Sequence, residues 1–196
     1  MVKSCLEILI MKEPLMRPMI KIALAGGMLL SACTAAEITT PPVLVTPKIK
    51  ANAVGLDVYA GPRKRGNPVP QFRGQETVAI RSSGIGADGA RKELSGVPCT
   101  LDSGVYTAAF TTPANVVVPD YGPNSPAIFV RCMLEGQSGS ATINAFNATT
   151  QQRMSGAAAG GVLGVIIVGA VTAANVDNEK DEFKYPPLTV QLKKQK

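Results

Sequence analysis

The chain has 196 residues, a formal net charge of +6, 20 basic against 14 acidic side chains, and neither histidine nor tryptophan. That length holds one modest domain with a real core. The missing histidine removes the usual base for serine or cysteine nucleophiles and the commonest metal ligand, and so small a positive charge does not indicate a nucleic acid partner.

The first informative stretch is RPMIKIALAGGMLLSAC, where Arg17 and Lys21 precede an apolar core, Ile22 to Leu30, and small residues lead to Cys33. It reads as an export signal, too short for a spanning helix. Glu7 and Glu13 interrupt the region before it, and a start at Met16 or Met19 would give a more conventional leader. Leu30-Ser31-Ala32-Cys33 resembles the lipobox of bacterial lipoproteins. The resemblance implies lipidation of Cys33 and removal of residues 1–32 as a signal peptide. Thr34 is not the aspartate that often retains such proteins at the inner membrane, so it implies an outer-membrane anchor facing the periplasm. Removal takes away Lys3, Lys12, Arg17 and Lys21 with Glu7 and Glu13, lowering the net charge from +6 to +4.

Of the four cysteines, Cys5 then lies in the leader and Cys33 carries lipid. Cys99 and Cys132 remain as an even pair, expected to bond to each other in an oxidising envelope. A metal or redox pair is disfavoured, because the chain has no C-x-x-C and no histidine.

Residues 33–50 read as a lipidated tether, since Pro41, Pro42 and Pro47 block regular helix. Residues 51–147 carry short β-prone segments punctuated by glycine and proline: AVGLDVYA, ETVAIRS, GVYTAAFTTP, NVVVPDYGP, AIFVRCMLEG and SATINAFN. Such spacing predicts a mainly β fold, a small antiparallel sandwich or barrel-like sheet, with one disulfide. In AIFVRCML, period two puts Ile128, Val130 and Cys132 on one face.

The segment Gly96–Gly136 resembles the domain of small bacterial envelope lipoproteins related to the PEGA-type β-sandwich. The resemblance rests on Cys99-Thr100-Leu101, on Thr112-Pro113 followed by Val116-Val117-Val118, on Val130-Arg131-Cys132 with Gly136, and on Tyr185-Pro186 leading to Val190. It implies an envelope protein and brings no catalytic residues.

Enzyme-like patterns are weak. Gly84, Gly86 and Gly89 match G-x-G-x-x-G, but no strand-turn-helix context surrounds them, so they read as a flexible loop and no cofactor is expected. Asp102, Asp120 and Glu135 read as turn and surface carboxylates. Arg63, Lys64 and Arg65 stand between Gly61-Pro62 and Gly66-Asn67-Pro68. They are the candidate anion contact, against the plainer reading of a solvated hairpin tip, which Lys193, Lys194 and Lys196 share.

Residues 148–176 are expected to form a glycine-zipper helix, and residues 177–196 a polar linker and a C-terminal strand over Leu188 to Leu192. From Ser155 to Ala174 there is no charge, and Gly156, Gly160 and Gly164 repeat the spacing that lets helix backbones approach closely. Three readings stay open: packing on the β domain, insertion as a second membrane anchor, or association between copies. The functional expectation is a non-catalytic, lipid-anchored envelope protein with a structural or assembly role. A binding module for cell-wall polymer or another envelope protein is the alternative, and an exported hydrolase the third reading.

Overall fold

The computed structural model describes residues 37–157 and 177–195, apart from the side chains of 154–157. Two short strands, β1 (Val43–Leu44) and β2 (Thr46–Pro47), flank the buried Val45. After the five-residue helix α1 (Ala60–Lys64) come the long β3 (Gly74–Ile85), then β4 (Arg91–Leu94), β5 (Val97–Asp102), β6 (Tyr106–Thr112) and β7 (Ala114–Asp120). Then follow β8 (Ile128–Leu134), β9 (Gln137–Ile143), β10 (Phe146–Asn147) and helix α2 (Ala148–Ala157). Beyond residues 158–176 the chain resumes with β11 (Phe183–Lys184), β12 (Leu188–Gln191) and β13 (Lys193–Lys194).

One sheet runs β1-β7-β3-β12, with β4 also on β3; the other runs β13-β9-β8-β5-β6-β2. The alternation in the sequence decides which side chains turn inward. In β8, Ile128, Val130 and Cys132 are fully buried while Phe129, Arg131 and Met133 face outward. Val78 and Ile80 of β3, Val116 and Val118 of β7, and Leu101 of β5 fill the space between the sheets. Burying each such side chain is worth roughly 1.5–3 kcal/mol. The buried hydroxyls of Ser82 and Thr112 satisfy each other across the sheets at 2.6 Å, and Ser82 also donates to the Leu94 carbonyl.

Both lateral seams between the sheets are closed by chain that belongs to both. The segment β1-Val45-β2 pairs first with β7 and then with β6, and β12-Leu192-β13 pairs first with β3 and then with β9. Val45 and Leu192, at the crossings, are 4% and 0% exposed. Their amides donate to Val117 O at 3.2 Å and Ser83 O at 2.7 Å, so each corner stays hydrogen-bonded as it changes sheet. The two sheets thus join into a flattened barrel. At the second seam the approach is closest: a Cβ on Gly139 would collide with the backbone carbonyl of Gln191, and one on Gly84 would meet Leu94 and Gln137 below 3.0 Å.

Cys99 and Cys132 face each other in register on the antiparallel strands β5 and β8, with Cα atoms 4.1 Å apart, and they are disulfide-bonded. The mainly β character and this bond agree with the sequence reading. The architecture differs in two respects. The pairs β1/β7 and β3/β12 are parallel, which their long intervening connections permit. The proline-rich segment expected to be tether as far as Lys50 becomes strand at Val43, because Pro47 sits at the end of a two-residue edge pairing where it costs no internal ladder bond.

AVGLDVYA, expected as a strand, is a turn leading into α1. Val58 N–H is captured by the Tyr121 hydroxyl at 2.8 Å and Tyr59 N–H by the Asp57 carboxylate at 3.1 Å, which diverts both from any ladder. Of the three glycines read as a flexible loop, Gly84 lies inside β3, while Gly86 and Gly89 form the β3–β4 turn, where Gly89 takes φ 78°.

Gly139→Ala is expected to lower stability by about 1–3 kcal/mol through overpacking of the seam, with the exposed Ser140→Ala near neutral; urea midpoints measure both. Replacing Cys99 and Cys132 together by alanine frees a loop with a sequence separation of 33. It is expected to cost about 3 to 4 kcal/mol in the same assay.

Candidate functional site

A dense network of polar contacts gathers at the two ends of residues 158–176. On the outgoing side, β10 passes directly into α2; on the returning side, the chain from Asp177 turns into β11, which pairs with β10. Asp181, 1% exposed, stands between them. Its carboxylate accepts from Asn147 Nδ2 at 2.7 Å, from Arg153 at 3.3 Å and from the Asp177 amide at 3.1 Å. A buried carboxylate is tolerated only with such partners. Ala148 N–H bonds Glu182 O at 2.8 Å, and Glu182 N–H bonds Thr149 Oγ1 at 2.9 Å, so the first turn of α2 is stitched to the return segment in both directions.

Arg73, just before β3, completes this clasp from the barrel. Its guanidinium donates to the carbonyls of Asn178, Glu179 and Asp181 at 3.2, 3.3 and 2.7 Å and lies 5.9 Å from the centre of the Phe183 ring. A planar fork with five donors suits several converging carbonyls, where an ammonium would not. Further on, Tyr185 N–H donates to Glu76 at 2.6 Å, and the Tyr185 hydroxyl donates to Pro126 O.

Glu76 is the most perturbed acid of the group. Burial pushes its carboxyl up to about 7, helped by the nearby Asp120 and Glu182 carboxylates and opposed by the Tyr185 amide and Lys184. Burial likewise raises the Tyr106 and Tyr185 hydroxyls, which therefore stay neutral.

The basic cluster at residues 63–65 belongs to a different corner. Arg63 reaches back from α1 to Asp57 at 2.6 Å and also donates to Pro70 O. Its hydrogen bond to Asp57 holds its proton more tightly than usual. Arg65 donates to Asn52 Oδ1 at 3.2 Å, and Lys64 is exposed. These residues stand on a short helix and its C-terminal cap, where cations suit the helix dipole, and they are not at a hairpin tip. Beside them an open cleft of ≈ 470 Å³ is lined by Val54, Asp57, Ala60, Arg63, Lys64 and Phe72. Tyr121 packs edge-on to Tyr59 and Phe72, at 5.0 and 6.0 Å between ring centres, and its hydroxyl touches Asp57.

Asp102, Asp120 and Glu135 have separate local surroundings. Asp102 pairs with Lys48 at 2.7 Å and receives Gly104 N–H, which together hold its pKa below the ordinary value. Asp120 caps the turn at Gly122 N–H at 2.6 Å, and Glu135 is exposed between β8 and β9. No group of three or more His, Cys, Asp or Glu side chains able to hold a metal occurs among the described residues.

Cys33, Gly160 and Gly164 lie outside the described residues, and Gly156 falls in the last turns of α2. Among the described residues no helix is long and apolar enough to cross a membrane. No family model matches this chain, and no curated protein or solved structure is found to be similar to it.

Asp181, Arg73 and Glu76 were not distinguished in the sequence. Asp181 sits in NVDNEKDEF among three other acids and a lysine, and nothing local marks it as the one that is buried. Tyr185-Pro186 gave the single usable signal, the entry to a returning strand.

Glu76→Gln keeps an acceptor for Tyr185 N–H and removes the charge. In the folded protein Glu76 holds its proton up to about pH 7 against an ordinary value of 4.5. Its ionisation therefore opposes folding: the penalty is absent below the unfolded value, grows through this interval and is complete above about 7. The variant is expected to be more stable than the parent at pH 8, by on the order of 1 kcal/mol after allowance for solvent screening of a partly exposed group. At pH 4 the two should coincide in urea titrations.

Proposed function

We propose that this chain is a lipid-anchored bacterial envelope protein with a structural or assembly role. Its β barrel would serve as the base from which the glycine-rich run, residues 158–176, meets other copies. The observation that carries this reading is the clasp at Asp181 and Arg73, which ties both flanks of that run to each other and to the barrel. A helix that crosses a bilayer once uses about 20 residues and delivers its ends to opposite sides. Flanks joined by a strand pair and a shared buried carboxylate belong on one side. A one-way second anchor is therefore the least favoured of the three readings.

Association through Gly156, Gly160 and Gly164 fits better. Small residues every four positions allow close backbone contact, and flanks fixed to the barrel reduce the orientational freedom lost when copies meet. The lipobox at Leu30–Cys33 supports the membrane address, and the likeness to PEGA-type lipoproteins supports a non-catalytic role.

Cross-linking of the full-length protein in detergent micelles tests the proposal. Oligomers are expected for the parent chain and should be lost in Gly160→Leu and Gly164→Leu, with the urea midpoint of the barrel unchanged. A monomeric parent, or oligomers indifferent to both substitutions, would overturn it.

A further inference from the structure

We propose that the outer face of the second sheet binds an anionic polysaccharide, in a cleft that Phe129 and Arg131 of β8 share with Lys193 and Lys194 of β13. The cleft has a volume of ≈ 430 Å³, and its wall is completed by Ser138, Gly139, Ser140 and Gln191. It is distinct from the cluster at residues 63–65 and independent of how residues 158–176 behave.

Charge is the first argument. Arg131, Lys193 and Lys194 form no ion pair with any described residue, whereas Arg63 is neutralised by Asp57. Asp102, the cross-strand neighbour of Phe129, is itself occupied by Lys48. Glu135, in the β8–β9 turn, does not line the cleft. Three uncompensated cations around one concavity draw an anion.

The second argument is the kind of surface that surrounds the charge. Phe129 leaves 43% of its surface exposed in the middle of the sheet and stacks on no other ring among the described residues, so its face is open to a ligand. Its cross-strand neighbour Thr142 and the neighbours of Arg131, Thr100 and Ser140, are all small and hydroxylated. An aromatic ring on a level bed of hydroxyls offers the apolar face of a pyranose a platform, with donors and acceptors for its hydroxyls at the rim. Arg131 and the two lysines then lie within the same cleft for a carboxylate or phosphate on the sugar.

An acidic peptide fits less well. Extended peptides gain most of their affinity by adding a strand to a free sheet edge. Here β13 already pairs with β9, and Gly139 of β9 lies against the backbone of Gln191 and Leu192.

The test is titration of the full-length protein in detergent with polygalacturonate, with neutral dextran and polyglutamate in parallel. Polygalacturonate should bind in a salt-sensitive manner and dextran should not. Arg131→Gln should weaken binding about tenfold and Phe129→Ala about fivefold. Both side chains are exposed, so urea midpoints should stay near the parent value. Polyglutamate binding as tightly as polygalacturonate, with Phe129→Ala without effect, would overturn the proposal in favour of a nonspecific polyanion surface. Absence of polygalacturonate binding would overturn it outright.

Discussion

The architecture depends on two short crossings of the chain, at Val45 and Leu192, where a single buried residue separates strands that belong to different sheets. Without them the two sheets would present four open edges, each a row of unpaired amides and carbonyls. With them, every long strand has a neighbour on both sides. The crossings require the backbone of β12 and β13 to lie almost against β9, which explains a glycine at position 139 in a strand otherwise made of ordinary side chains. Closure also sets where function can sit. The interior is filled by aliphatic and aromatic side chains and a disulfide, so ligands and partners must use the outer faces or the ends.

The clasp around Asp181 follows from the same closure. Residues 158–176 intervene between the last strand of the main body and the strand that seals the second seam. The return segment is held against the body immediately before β12, which pairs with β3. Arg73, Glu76 and the first turn of α2 provide that fixation with hydrogen bonds spread over nine residues of chain, Asp177 to Tyr185. A buried carboxylate with three donors is costly to disrupt, since removing any donor leaves its charge less well compensated.

The parts of this fold that were legible in the sequence are those governed by local period. Ile128, Val130 and Cys132 alternate with Phe129 and Arg131, and the alternation alone assigns their faces and puts the cysteine inside. The pairing of Cys99 with Cys132 followed from counting. Closure was not legible, because Val43–Pro47 contains too few residues to show a period and its prolines argue for tether. Nor was the fate of AVGLDVYA, whose alternation is that of a strand; its amides are taken by Tyr121 and Asp57, and the Tyr121 contact is distant in sequence. For the candidate sites the difficulty is one of equivalence. Arg63 and Arg131 look alike in a sequence, and only the position of Asp57 separates a neutralised arginine from an available one.

The burial of the disulfide fixes an order of events. Cys99 and Cys132 are 4% and 0% exposed in the finished barrel, out of reach of any oxidising enzyme or small thiol. The bond has to be made while the barrel is still open. The barrel stays open until Leu188–Gln191 docks beside Ile80–Ser83, so the interval between the synthesis of β8 and the arrival of β12 is the window for oxidation. A chain that closes early with its thiols still reduced would be trapped in that state until it unfolds, and a chain that has been oxidised is shielded from reductant for as long as it remains folded.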